Sequence, residues 1–343
     1  MDLSFLKSLY TRPGPYASVY ADLTRTTEEA PKTPKLRWRA LREKLEAEEA
    51  PAETLSAIEE IVGDDLSAHR SEGLIAFATE GETHVTRLPG PPLAETARLA
   101  PLPHVMPLLV QRGERFPYLL VDVHRPGGTI TCVAADGTRT TLDVQGDEDS
   151  RKVKSTGETA QARVQRAAEN TWKANAKKVG KEVDHAARKC GAELILISGD
   201  PQLRGALLEE ISDGLLERTV EDTDEEHLLE LKRTERLTTI VERFERELAN
   251  NGRAVRGLKP TVEAARRGQV ETLILPEDSP ARVWVGPAPS DISLDLGELH
   301  RMGVDDPAED RADAALIRAV AATDGDLAVV GGAKIGAILR YST

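Results

Sequence analysis

Aromatic side chains are scarce, with phenylalanine, tryptophan and tyrosine together making up 3% of the 343 residues. The hydrophobic cores must therefore rest on leucine, valine, isoleucine and alanine. No run reaches the roughly 18 apolar residues that a membrane helix needs. The opening residues, MDLSFLKSLYTRPGPY, lack the charged-then-apolar pattern of a secretory signal. A cytoplasmic protein with no membrane partner is expected. Only two cysteines occur, Cys132 and Cys190, far apart and outside any Cys-x-x-Cys pattern. They read as two small buried thiols in a reducing compartment. The seven histidines are scattered, and none pairs with another at metal-ligand spacing. Neither a metal nor a cofactor is expected. Positive charge is in the minority, with a net charge of −13 and a pI near 5.2. That balance argues against a general, non-specific nucleic-acid binder, and DNA is not an expected partner.

The chain does have ordinary globular composition, 40% apolar and 30% charged, and length for two or three domains with real cores. In the first third, Tyr16–Leu23 reads as a strand, while Leu36–Ala47 and Ala52–Val62 carry apolar residues at helical spacing. The stretch with Pro31 and Pro34 reads as a loop. Gly73–Ala78 and Thr83–Leu88 read as a hairpin around Glu80-Gly81. A second unit begins near Phe116. Tyr118–His124, Thr129–Ala134 and Thr138–Val144 read as strands, the last two joined at Asp136-Gly137, a strong hairpin signal. Gln145–Lys154 is a polar loop. Ser155 with Glu158 makes a capping-box pattern, and a long helix is predicted from there to about Cys190. Ala192–Ser198 reads as a strand and Pro201–Ile211 as a helix capped by Asp200. After the acidic stretch 221–226, a long helix over Leu228–Ala249 opens an alternation of helices and strands that runs to Tyr341, predicting an α/β/α sandwich. The expected fold class is α/β, in three domains: 1–113, 114–222 and 223–343.

Charge is concentrated in one place. From Arg151 to Lys181 the basic residues are Arg151, Lys152, Lys154, Arg163, Arg166, Lys173, Lys177, Lys178 and Lys181, against only Glu158 and Glu169. This local +7 leaves −20 on the remaining residues. Such asymmetry suits a phosphate-contacting arm on a body that nucleic acid otherwise repels. The competing interpretation is a solvated amphipathic helix, since lysine and arginine are good helix formers. Trp172, spaced four residues from Ala168 and Ala176, reads as core. Without interleaved aromatics, any RNA contact would be to backbone and shape rather than to stacked bases. Asp122 and His124 share one strand face and read as a surface pair with no nucleophile beside them. Asp147, Glu148 and Asp149 read as a solvated loop, and Gly331-Gly332 as a turn rather than a phosphate loop.

Several of these segments resemble the archaeal and eukaryotic release-factor/Pelota family. Glu242–Leu275 (ERFERELANNGRAVRGLKPTVEAARRGQVETLIL) is similar to the start of that family's C-terminal domain. Asp313–Thr323 sits where that domain has its penultimate helix, and Gly331–Tyr341 (GGAKIGAILRY) resembles its last strand. In Glu158–Val183, the residues Gln161, Arg163, Gln165, Arg166, Glu169 and Trp172 match the central-domain helix of the family's bacterial branch. That branch holds the Balon-like hibernation factors and related peptidyl-tRNA hydrolases. Ile195–Leu208 fits the same domain. The resemblance implies a mixed α/β N-terminal domain, a ribonuclease-H-like central domain and an L7Ae-like C-terminal domain.

The resemblance also implies action at the ribosomal A site, with the ribosome as partner, contact to rRNA near the peptidyl-transferase centre, and tRNA and elongation factor Tu as further partners. Arg151, Lys152, Lys154, Arg163, Arg166, Lys173 and Lys177 would then be RNA-binding residues. The family's Gly-Gly-Gln, which places a water against the peptidyl-tRNA ester, is absent. Gln161 is the nearest glutamine by alignment, and Gln145 precedes the tip. Three functions follow as alternatives. The first is a hibernation or rescue factor that binds without cleaving. The second is a peptidyl-tRNA hydrolase using Gln161. The third is an acidic adaptor whose basic helix binds a protein.

Overall fold

A computed structural model describes residues 1–24, 33–68, 72–147, 158–222, 224–250 and 252–341, and leaves aside the side chains of 67–68 and 158–164. The expected loop residue Pro31, the capping residue Ser155 and most of the expected tip lie outside the described residues.

The N-terminal third opens with a 3-10 helix (Ser4–Thr11). It continues with β1 (Tyr16–Asp22), α1 (Thr33–Ala47), α2 (Ala52–Ala68), β2 (Gly73–Thr79), β3 (Glu82–Leu88), β4 (Thr96–Ala100) and α3 (Met106–Arg112). The strands form an antiparallel sheet ordered β3-β2-β1-β4. The β2–β3 turn falls at Glu80-Gly81, with φ of 47° and 77°, the left-handed pair whose twist matches a hairpin. One sheet face packs Val19 and Ala76 against Trp38, Leu45 and Ile58. The other sends Tyr20 and Phe77 into a second core. Burial of both faces accounts for the largely apolar character of β1 and β2.

The central part comprises β5 (Tyr118–His124), β6 (Gly127–Val133), β7 (Arg139–Gln145), α4 (Glu158–Cys190), β8 (Leu194–Gly199), α5 (Pro201–Leu208), α6 (Asp213–Leu216) and β9 (Thr219–Val220). The sheet order is β7-β6-β5-β8-β9, antiparallel through the first three strands and parallel from β5 onward. Gly137, with φ of 91°, supplies the β6–β7 turn that the sequence marks. Asp200 caps α5 by accepting from the Gln202 amide at 3.0 Å.

The remainder comprises α7 (Glu225–Ala249), β10 (Ala254–Arg256), α8 (Leu258–Arg266), β11 (Val270–Leu275), β12 (Arg282–Val285), β13 (Ile292–Ser293), α9 (Leu296–Arg301), β14 (Ala308–Arg311), α10 (Ala312–Ala322), β15 (Asp326–Val329) and β16 (Gly336–Leu339). Glu225 and Glu226 are the first turn of α7 rather than linker, where carboxylates complement the helix dipole. The main sheet runs β10-β16-β11-β15, and a small sheet β13-β12-β14 stands beside it. Phe244 of α7 packs with Ile274, Ala328 and Ile338. Leu273 and Leu339 face instead into a core with Val262 of α8 and Leu316 of α10.

The chain divides into two compact units, 1–113 with 237–343, and 114–236. Within the first, Leu3, Leu6 and Leu9 of the 3-10 helix share one core cluster with Leu316 and Val320 of α10. The Met1 ammonium donates to the Leu327 carbonyl at 2.7 Å, and the Leu102 amide donates to Asp310 at 2.8 Å.

The expectation of two separate thiols is corrected: Cys132 and Cys190 form a disulfide. Cys132 sits on β6 and Cys190 ends α4, which returns over the same sheet. The fold thus brings to a Cα separation of 6.4 Å two residues that are 58 apart in sequence. Closing a loop of this length limits the unfolded chain, and on that chain-entropy account its removal costs about 4 kcal/mol. The Cys132→Ala/Cys190→Ala variant is expected to unfold at lower urea concentration than the oxidised wild type. A reductant should lower the wild-type midpoint and leave the variant unchanged.

Candidate nucleic-acid interface

The basic stretch lies on α4, which is fixed to the central sheet by an apolar seam. Ala176, Val179, Val183 and Ala187 recur at steps of three and four and pack with Val121, Ile130 and Ile197. Close approach is possible because the neighbours are small. A Cβ on Gly128 would meet Val179 at 3.0 Å, and one on Gly180 would meet the Leu207 carbonyl oxygen at 2.7 Å.

One polar residue interrupts the seam. Asn175 is 1% exposed and holds three backbone groups. Its Oδ1 accepts from the Asp147 amide at 2.8 Å, and its Nδ2 donates to the carbonyls of Arg125 and Asp147 at 3.1 and 3.2 Å. These bonds tie the middle of α4 to the β5–β6 turn and to the backbone just after β7. Gly146 leaves no room for a side chain against the Asn175 amide. The same turn places the Arg125 guanidinium over the Trp172 ring, 4.1 Å from its centroid, with Arg125 Nε 3.6 Å from Asp200 Oδ2. Trp172 is accordingly half-buried, packed on the core with one face under arginine. Neither Asn175 nor Arg125 stands out in the sequence patterns described above. An asparagine at a seam position of a helix is the signal that could have found the first.

The basic residues fall into two groups. Lys177 pairs with Glu209 and Glu210 at 3.0 and 3.4 Å, Lys181 reaches Glu210 at 3.9 Å, and Lys178 pairs with Asp147 at 2.9 Å. Hydrogen bonds donated to the Glu209 and Glu210 carboxylates hold the Lys177 ammonium above the usual lysine range. This end of the stretch therefore packs α4 onto α5 and onto the backbone after β7. Arg166 and Lys173 are exposed and have no carboxylate within ion-pair distance among the described residues. Gln161 and Arg163 lie in the first turns of α4, while Arg151, Lys152 and Lys154 are outside the described residues. Gln145 is exposed at the end of β7.

The other groups noted in the sequence are quiet. Asp122 and His124 are both exposed, and the Ser198 hydroxyl donates to Asp122 at 3.1 Å. Among the described residues no group of histidine, cysteine and carboxylate side chains could hold a metal. None of their helices is long and apolar enough to cross a membrane. Gly331-Gly332 is a turn after β15, with Gly332 at φ 71°. Across the sheet from α4, the Tyr118 hydroxyl is pushed up to about 12 by burial and by its 2.6 Å hydrogen bond to Glu225.

Residues 117–255 match the family model described as bacterial archaeo-eukaryotic release factor family 2. The whole chain is similar to an uncharacterized protein of Mycobacterium tuberculosis, 28% identical over 362 residues, covering 98% of this chain and 96% of that one. Among solved structures, the archaeal translation termination factor aRF1 is 15% identical with a TM-score of 0.26, covering 99% of this chain and 97% of its own. Dom34 of S. cerevisiae, described as a translation termination-like factor involved in RNA quality control, is 12% identical with a TM-score of 0.37, covering 79% and 81%. Superpositions that loose describe neither the site nor its chemistry.

Asn175→Ala deletes three hydrogen bonds from a buried position and is expected to cost about 2–3 kcal/mol. Urea unfolding checks the cost, and faster hydrogen exchange of the Asp147 amide checks its location.

Proposed function

We propose, for a chain that belongs through residues 117–255 to the bacterial branch of the archaeo-eukaryotic release-factor/Pelota family, a role as a cytoplasmic translation factor that binds the ribosomal A site. The domain pattern that goes with this reading is a mixed α/β N-terminal domain (1–113), a ribonuclease-H-like centre (114–222) and an L7Ae-like C-terminal domain (223–343). The observation that carries it is the division of charge along α4. Lys177, Lys178 and Lys181 are spent on ion pairs within the central unit, while Arg166 and Lys173 stand exposed without partners among the described residues. With Arg151, Lys152, Lys154 and Arg163 they make a cationic arm on a chain of net −13. Such an arm suits the phosphates of structured RNA, here rRNA near the peptidyl-transferase centre and tRNA. The rest of the surface is repelled by RNA, which selects one mode of entry.

The absent Gly-Gly-Gln favours binding without ester cleavage, in hibernation or in rescue, with delivery by elongation factor Tu as part of the same reading. The alternative is peptidyl-tRNA hydrolysis, and Gln161 motivates it, being the glutamine that aligns with the branch's central helix. Positioning a water requires that side chain within hydrogen-bond reach of the ester. Two variants separate these. Arg151→Ala/Lys152→Ala/Lys154→Ala is expected to weaken ribosome binding by about tenfold or more at low salt, since each lost phosphate contact gives up counterion release. Gln161→Ala is expected to leave binding unchanged, and wild type should release no peptide from peptidyl-tRNA on the ribosome. Release that Gln161→Ala abolishes would instead establish the hydrolase. A wild type that does not associate with ribosomes would leave the adaptor.

A further inference from the structure

A strand at the margin of a sheet presents unpaired amides and carbonyls, and one such edge in the central unit lacks the usual protection. The sheet order β7-β6-β5-β8-β9 leaves β7 and β9 at the margins. β9 is two residues long, whereas β7 runs for seven (RTTLDVQ), with no proline or lysine. Its pairing with β6 keeps one register from end to end, so no bulge turns the edge away. Six of its seven residues are exposed.

The direction of each β7 amide follows from the ladder. At its two ends, the Ala134 amide donates to the Thr138 carbonyl at 2.9 Å and the Gly146 amide to the Pro126 carbonyl at 2.7 Å. Antiparallel pairs alternate between bonded and open. The bonded pairs between those ends are therefore Cys132–Thr140, Ile130–Leu142 and Gly128–Val144. Arg139, Thr141, Asp143 and Gln145 fall in the open pairs, so their amides and carbonyls point to the free edge. Among the described residues no hydrogen bond reaches those backbone groups.

We propose that β7 is a self-association edge, through which two copies of this chain pair their central sheets antiparallel about Thr141. The edge is complementary to itself in that register. Thr141 faces Thr141 of the second copy, and Arg139 faces Asp143 of the second copy, twice over by symmetry. The outward amides and carbonyls of all three residues are then in bonded register. Both charged groups are exposed and have capacity to spare: Arg139 reaches Glu225 through one terminal nitrogen, and Asp143 accepts from Thr129 on Oδ1. On the other face Leu142, 46% exposed, comes diagonally against Leu142 of the second copy. In β3, the other seven-residue edge strand, the two-residue turn at Glu80-Gly81 sends Thr83, Val85 and Arg87 outward. Pairing about Val85 sets threonine against arginine, and no such match arises. A single strand pair is a small interface, so the dimer is weak and concentration-dependent. The inference concerns β7 alone and does not depend on the reading of α4.

The test is sedimentation equilibrium of the full chain from micromolar to near-millimolar concentration, with residue-resolved amide hydrogen exchange at both ends of the series. A reversible monomer–dimer equilibrium is expected. Exchange at Arg139, Thr141 and Asp143 should slow as concentration rises, while Thr140 and Leu142, already bonded to β6, stay slow throughout. Thr141→Pro removes the donor on the two-fold axis without touching the β6 ladder, and should abolish the dimer. Arg139→Asp sets like charges opposite each other at both ends and should weaken association by about tenfold. Adding Asp143→Arg restores the match and should return the affinity towards that of wild type. If Thr141→Pro does not fold, the charge reversal and its rescue decide. The proposal is overturned by a chain that stays monomeric across the series, by a dimer that survives Thr141→Pro, or by edge amides whose exchange ignores concentration. It is overturned equally if Arg139→Asp/Asp143→Arg associates no better than Arg139→Asp.

Discussion

The seam of small side chains that seats α4 on the central sheet is the constraint on which the candidate interface depends. Ala176, Val179, Val183 and Ala187 supply it from the helix, and Gly128 and Gly180 let the backbones of strand and neighbouring helix come close. Buried alanine and valine gain little each, so the seam depends on tight packing over many contacts rather than on a few large side chains. In a chain with so few aromatic residues this is how a long helix must be held. The disulfide closes the far end of the same seam, and Asn175 pins its middle to the strands' turn and to the backbone after β7.

An anchored helix sorts its charges by position. Lysines near the seam find carboxylates just after α5 and beside β7, so their contribution is internal. Exposed ion pairs of this kind add little stability individually. Their effect is to remove three positive charges from the count that a nucleic acid would meet. What remains lies toward the N-terminal half of α4 and the segment before it, so the cationic surface is narrower than the sequence stretch suggests. On the proposed function, a narrow arm on an acidic body would engage RNA where phosphates are arranged for it and be repelled elsewhere.

Much of the fold was legible in the sequence because periodicity and turn chemistry agreed. Asp136-Gly137 and Glu80-Gly81 mark their hairpins, Asp200 caps α5, and the apolar spacing of α4 runs to Cys190 as expected. The 3-10 helix at Ser4–Thr11, β4 and α3 were missed. Leu3, Leu6 and Leu9 recur every three residues, which fits a 3-10 turn, but three leucines in a short polar segment do not announce a partner core contributed by α10. Long-range pairing was hidden for the same reason. Nothing local in Cys132 or Cys190 indicates that a helix will carry one back over the other. In the candidate interface the charge asymmetry was visible, but its division into paired and unpaired lysines needed Glu209, Glu210 and Asp147 in three dimensions.

The most direct measurement is the affinity of the full chain for purified bacterial ribosomes, by co-sedimentation over a series of salt concentrations. The expected result is an association constant that falls linearly with salt on logarithmic axes, with a shallower slope for Arg166→Ala/Lys173→Ala, because two phosphate contacts have been removed. Binding that does not respond to salt, an unchanged slope in that variant, or no binding at low salt with or without elongation factor Tu would contradict the account.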